Sequence, residues 1–148
     1  HWMWYIFPQI VGLGYTEASY YYGIKSIDEA KEYLNHPVLG NRLREISYEL
    51  LKLAVNDVNS IFRNPDDLKL KSSMTLFSQM EEREDNIFRQ VTDKFFQGVS
   101  DNKTLKWTTL RTEADCANIL IGAIAGDIIG SIMGLLCGPA LLVGHLRL

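Results

Sequence analysis

Apolar positions in the first 113 residues recur at steps of three and four, the spacing that puts them on one face of a helix. Ile27, Ala30 and Leu34 share such a face. Ser26 stands before them with Glu29 three residues on, the signature of a capping box. Asn35 and His36 end this helix ahead of Pro37, which suits the first turn of the next because its missing N–H is not needed there. In that next stretch Val38, Leu39, Leu43, Ile46, Leu50 and Leu53 form the apolar stripe. A further helix starts at "NPDD": Asn64 is the expected N-cap, and Asp66 and Asp67 favour the positive end of the helix dipole. Leu68, Leu70, Met74 and Phe77 are its expected buried set. "NIFRQVTDKFFQG" predicts another, with Ile87, Phe88, Val91 and Phe95 inward and Gly98 as its stop. Thr16 to Tyr22 predicts a helical turn or two closed by Gly23, and "SDNKTLKW" a last short turn. No strand-like alternation persists. The pattern predicts an all-α, multihelical single domain.

Beyond Glu113 the pattern changes. Only Asp115, Asp127 and Arg147 are charged there, so residues 1–113 read as the body and 114–148 as an appended apolar, glycine-rich tail with a helix near 118–137. Gly122, Gly126, Gly130, Gly134 and Gly138 recur every four residues, a smooth ridge along which another helix can approach closely. From Ile128 to Leu146 only Ser131 and His145 are polar, about the length of a membrane span. A membrane helix within 119–146 is one reading of the tail. A helix docked on the body is another.

Composition narrows the function classes. A chain of 148 residues with 47% hydrophobic and 22% charged residues suits one soluble globular domain. The net charge is −3 and the lysines and arginines are scattered among acids. A nucleic-acid binder needs a basic stripe to meet phosphates, so nucleic acid is excluded as a main partner. Cys116 and Cys137 both fall late and lack metal-ligand spacing, which points to free thiols and to no metal or cofactor. No basic segment leads into an apolar stretch at the start, so a cytoplasmic location is expected. The first residue is not methionine, and residues upstream are expected.

The candidate chemistry sits in "HWMWYIFPQIVGLGY". Trp2, Trp4, Tyr5 and Phe7 supply flat apolar surface with N–H and O–H tips. They form either a core wedge between helices or a stacking wall for a planar ligand such as a nucleotide base, with Gln9 reading polar edges. His1 beside them is a candidate acid–base group. His36 either closes the helix junction or joins a site, and Arg42, Lys69 and Lys71 either meet an anionic ligand or are solvated. Ser72, Ser73 and Thr75 either line a pocket or bond back to helix carbonyls. The glycines of "GLGY" are a weak phosphate-loop signal. Whether any reaction is catalysed stays open.

"HWMWYIFPQIVGLG", "YGIKSIDEAKEYLNHPVLGNRL", "NPDDLKLKSSMTLF" and "FFQGVSDNKTL" resemble successive blocks of the bacterial domain-of-unknown-function family DUF1810, over about residues 1–106. The resemblance implies a multihelical fold, a bacterial cytosolic setting, a leading helix upstream of His1, and no established activity. In the tail, "IGAIAGDIIGSI" is similar to the first helix of ADP-ribosylglycohydrolases, where an aromatic residue and a metal-site glutamate follow. Met133 and Gly134 stand there instead. The tail resemblance therefore implies a truncated or frameshifted remnant that is not an active glycohydrolase, since metal-assisted hydrolysis needs several carboxylates. It also implies a link to nucleotide or ADP-ribose chemistry for the body. A non-catalytic interaction domain with a structural aromatic core is the alternative.

Overall fold

The computed structural model describes residues 2–125, with side chains through residue 119. Eight helices and no strand occur among the described residues: α1 (Met3–Ile6), α2 (Glu17–Tyr22), α3 (Ile27–Asn35), α4 (Leu39–Lys52), α5 (Val58–Ile61), α6 (Asp66–Met80), α7 (Ile87–Phe96) and α8 (Asn102–Ala125). The chain divides after Thr109 into two compact units, 1–109 and 110–148. The described part of the second unit is the remainder of α8.

Helix α6 organises the first unit. It packs against α1, α3 and α7, while α4 packs against α3 and α7. Every residue from Ser72 to Ser78 is buried, so the middle of α6 has no solvent face. Leu70, Met74, Leu76 and Phe77 fill the centre with Phe88 and Val91 of α7. Small side chains let the neighbours come close, and most buried hydroxyls satisfy themselves on nearby backbone. Ser78 donates to the Thr75 carbonyl at 2.8 Å and Thr92 to that of Phe88 at 3.0 Å. Ser47 of α4 donates to the Leu43 carbonyl at 2.7 Å.

The stripes predicted for α3 and α7 hold, with Ile27, Ala30 and Leu34 buried in the one and Phe88, Val91 and Phe95 in the other. Four expected core positions do not. Val38, Leu39, Leu53 and Leu68 are exposed. Val38 precedes α4 and Leu53 follows it, so the apolar period in the sequence runs past both ends of the helix that carries it. Leu39 and Leu68 sit in first turns, ahead of the packed stretch of each helix. Asn64 is not the N-cap of α6; Pro65 holds that place and no side chain caps the helix, leaving Asp66 and Asp67 to favour its positive end. The start of α3 is closer to expectation. Ser26 accepts from the Glu29 N–H at 3.0 Å, while the Glu29 carboxylate accepts from Lys25 N–H at 2.7 Å, one residue earlier than a reciprocal capping box requires.

The last helix is longer than the short turn expected. Asp101 starts it, accepting from both the N–H and the hydroxyl of Thr104 at 2.8 and 2.6 Å, and its own N–H donates to Thr75 of α6 at 2.9 Å. From there α8 runs 24 residues and passes the compositional change at residue 113 without a break. No helix among the described residues is long and apolar enough to cross a membrane. Cys137, the glycine ridge beyond Gly122 and most of the expected membrane segment lie outside the described residues, as does the glycohydrolase-like stretch from residue 126 onward.

Candidate functional site

A cleft of about 430 Å³ opens between α1, α3 and α4, within the size range of small-molecule sites. The short helix α1 contributes Tyr5 and Ile6, and α3 contributes Tyr33. Leu39, Arg42, Ile46 and Glu49 line it from α4 at steps of three and four, so one face of that helix forms a whole wall, with Glu45 beside it. The charged groups of the lining, Arg42, Glu45 and Glu49, all come from α4.

Each side chain has a physical reason for its position. The Tyr5 ring lies 4.9 Å from that of Tyr22, and the hydrogen bond between the two phenols raises the pKa of Tyr22. That pairing holds an otherwise exposed ring at the mouth of the cleft. Tyr33 packs 5.5 Å from Phe77 of the core. Glu49 accepts from Lys52 at 2.7 Å, which is the first cause of the raised pKa of that lysine. Arg42 has no side-chain hydrogen bond or ion pair among the described residues, so its guanidinium is free to meet a ligand. Among the described residues no group of three or more His, Cys, Asp or Glu side chains could hold a metal ion.

Burial raises the Tyr33 phenol above its ordinary value of 10.0. The neutral form is therefore favoured by folding. Its contribution to stability is complete below the unfolded value and is lost as pH rises through the higher folded value. Absorbance of tyrosinate during an alkaline titration checks this. Tyr33→Phe is expected to remove a component that titrates above pH 10.0; an unchanged curve above that pH would refute it.

The opening aromatic run divides between core and surface. Trp4 and Phe7 are buried, whereas Trp2 and Tyr5 are largely exposed. Trp2 stacks on Phe62 at 6.1 Å, and Phe7 meets the same ring edge-on at 6.0 Å. Neither a single wedge nor a single wall describes them. Gln9 is buried, its side chain donating to the Phe7 carbonyl at 3.4 Å and its own carbonyl accepting from the Ile24 N–H at 2.8 Å, while the Val11 N–H donates back to the Ile24 carbonyl at 2.9 Å. It reads no ligand edge at this cleft. His1 lies outside the described residues.

The remaining candidates are dispersed. Lys69 is engaged with Asp66 at 2.7 Å. Ser73 is fully buried in α6, and its hydroxyl has no partner among the described residues. Thr75 accepts from the Asp101 N–H, a link between helices and not a pocket wall. His36 caps α4, its Nδ1 accepting from the N–H groups of Val38 and Leu39, both at 3.2 Å, and it borders a second, polar cleft. Neither Gln9 nor the Gly12–Gly14 loop lines the clefts on α4. Of the residues singled out in the sequence, Tyr5 and Arg42 therefore meet at one cleft. Ile6, Tyr33, Glu45 and Glu49 complete it without any local signal, since each reads as an ordinary helical position until α1, α3 and α4 converge.

An all-α body with this helix order matches a family model described as a protein of unknown function, DUF1810, over residues 1–108. The chain belongs to the DUF1810 family. It is also similar to a crystal structure of the conserved hypothetical protein Rv1873 from Mycobacterium tuberculosis. The two share 39% identity with a TM-score of 0.70, over 74% of this chain and 77% of that one. Among curated proteins none matches the chain.

Proposed function

We propose that the body is a binding module for a small planar ligand of nucleotide type, seated in the cleft between α1, α3 and α4. The observation that carries this reading is the convergence of an exposed aromatic ring, Tyr5, and an unpaired cation, Arg42, on one cleft of suitable volume. A base stacked on Tyr5 gains about 1–3 kcal/mol, by analogy with aromatic platforms that hold single bases. Arg42 then takes a phosphoryl group through its planar fork of donors. Glu45 and Glu49 offer acceptors to ribose hydroxyls or an exocyclic amine. Their negative charge beside a single free cation favours one phosphate over a pyrophosphate, so a nucleoside monophosphate fits better than ADP-ribose or NAD.

Melting temperature and tryptophan fluorescence of the full chain, followed with adenosine, AMP, ADP-ribose and NAD, test the proposal. AMP is expected to bind and to stabilise, and Arg42→Ala to weaken it at least about tenfold, about 1.4 kcal/mol. If none of the four compounds moves either signal, the ligand-binding reading fails. A second reading, an interaction domain, is favoured by the exposed rings of Tyr15, Tyr20 and Tyr21, since tyrosine is enriched where proteins meet.

A further inference from the structure

The block "NHPVLGNRL" builds a second cleft that the nucleotide reading does not use. His36, Pro37 and Asn41 line it from the α3–α4 corner, Lys31 from α3, and Glu82 and Arg83 from the segment after α6; its volume is about 440 Å³. The corner is rigid. Gly40 lies so close to the Leu34 carbonyl that an added Cβ would stand 1.9 Å from its oxygen. Arg44 fastens the same corner, donating from Nη1 to the Leu34 carbonyl at 3.1 Å and from Nε to Glu81 at 2.7 Å. Arg44 and Glu81 are thus a neutral pair at the cleft wall.

His36 gives the cleft its character. Because Nδ1 accepts from two backbone N–H groups at the start of α4, it bears no proton, and the ring proton stands on Nε2. The helix end therefore sets the tautomer and leaves a fixed N–H donor on the far side of the ring. Lys31 and Arg83 are exposed, and neither has a hydrogen-bond or ion-pair partner among the described residues. Against these two free cations stands one free carboxylate, Glu82. An excess of one positive charge with a directed neutral donor matches the charge and acceptor oxygens of a small oxyanion. Three donors carried by three separate segments suit a tetrahedral oxyanion better than a flat carboxylate.

We propose that this corner cleft is a phosphoryl-binding site in which Lys31, Arg83 and the Nε2–H of His36 are the donors. The probe is inorganic phosphate, with acetate at equal ionic strength as the comparison, and the readout is the imidazole signals of His36 in long-range proton–nitrogen spectra of the full chain. Before titration those spectra are expected to show the Nε2–H tautomer. Phosphate should then shift the His36 signals saturably, and acetate should not. Lys31→Gln with Arg83→Gln removes two exposed charges that no fold contact uses, and is expected to weaken phosphate at least about tenfold. His36→Asn keeps a side-chain oxygen to cap α4, so melting should change little while the phosphate-induced stabilisation disappears. Arg42→Ala should leave phosphate binding here intact, which separates this site from the nucleotide cleft. A proton on Nδ1, a shift that acetate reproduces, or a double variant that binds phosphate as the native chain does would each overturn the assignment.

Discussion

Gly40→Ala is expected to destabilise the first unit by about 3 kcal/mol, the upper part of the range for forced overpacking. Within an ordinary helix the same change stabilises by about 1 kcal/mol, because glycine loses more backbone freedom on folding. Gly40 reverses the sign. Its hydrogen-bearing face abuts the Leu34 carbonyl, where a Cβ would approach to 1.9 Å of the oxygen and 2.6 Å of the carbon. Those are backbone atoms at the end of α3 and cannot rotate away. Relief requires parting α3 from α4, which disturbs the Arg44 bond to Leu34 as well. Thermal melting by circular dichroism measures the effect; an unchanged or raised midpoint would show that the corner is looser than described.

Trp4→Ala is the second large effect. Trp4 is 8% exposed, and truncating such a side chain leaves a cavity costing about 3–5 kcal/mol. Trp2, two residues earlier, is 49% exposed and rests on Phe62 from outside, so Trp2→Ala should cost less than about 1 kcal/mol. Chemical denaturation of the two variants side by side distinguishes them. Equal losses would mean that both rings belong to one packed wedge, and the division of the opening run between core and surface would be wrong.

Much of the helical order was readable from the sequence because the outer helices have one wet face. In α3 and α7 a single buried stripe alternates with charge, so period and burial coincide. Helix α6 defeats that logic. Serines and threonines are buried beside Met74 and Phe77, and they read as a polar face only while the neighbours on that side are unknown. At α4 the sequence marks the start to within two residues, through Pro37, and leaves open how it is capped: His36 does this with an acceptor nitrogen, outside the usual set of capping oxygens. At the nucleotide cleft, Tyr5 was visible as part of an aromatic run and Arg42 as an unassigned cation. Their partnership was not, because 37 positions separate them along the chain and only the packing of α1 and α3 on the rest of the body brings them together.

In the proposed function Tyr5 and Arg42 face one ligand. Backbone amide spectra of the full chain during titration with AMP test it most directly. Saturable shifts centred on Tyr5, Ile6 and the α4 stretch from Leu39 to Glu49, abolished together by Tyr5→Ala and by Arg42→Ala, are the predicted result. Shifts centred elsewhere, or the same shifts surviving in both variants, would contradict it.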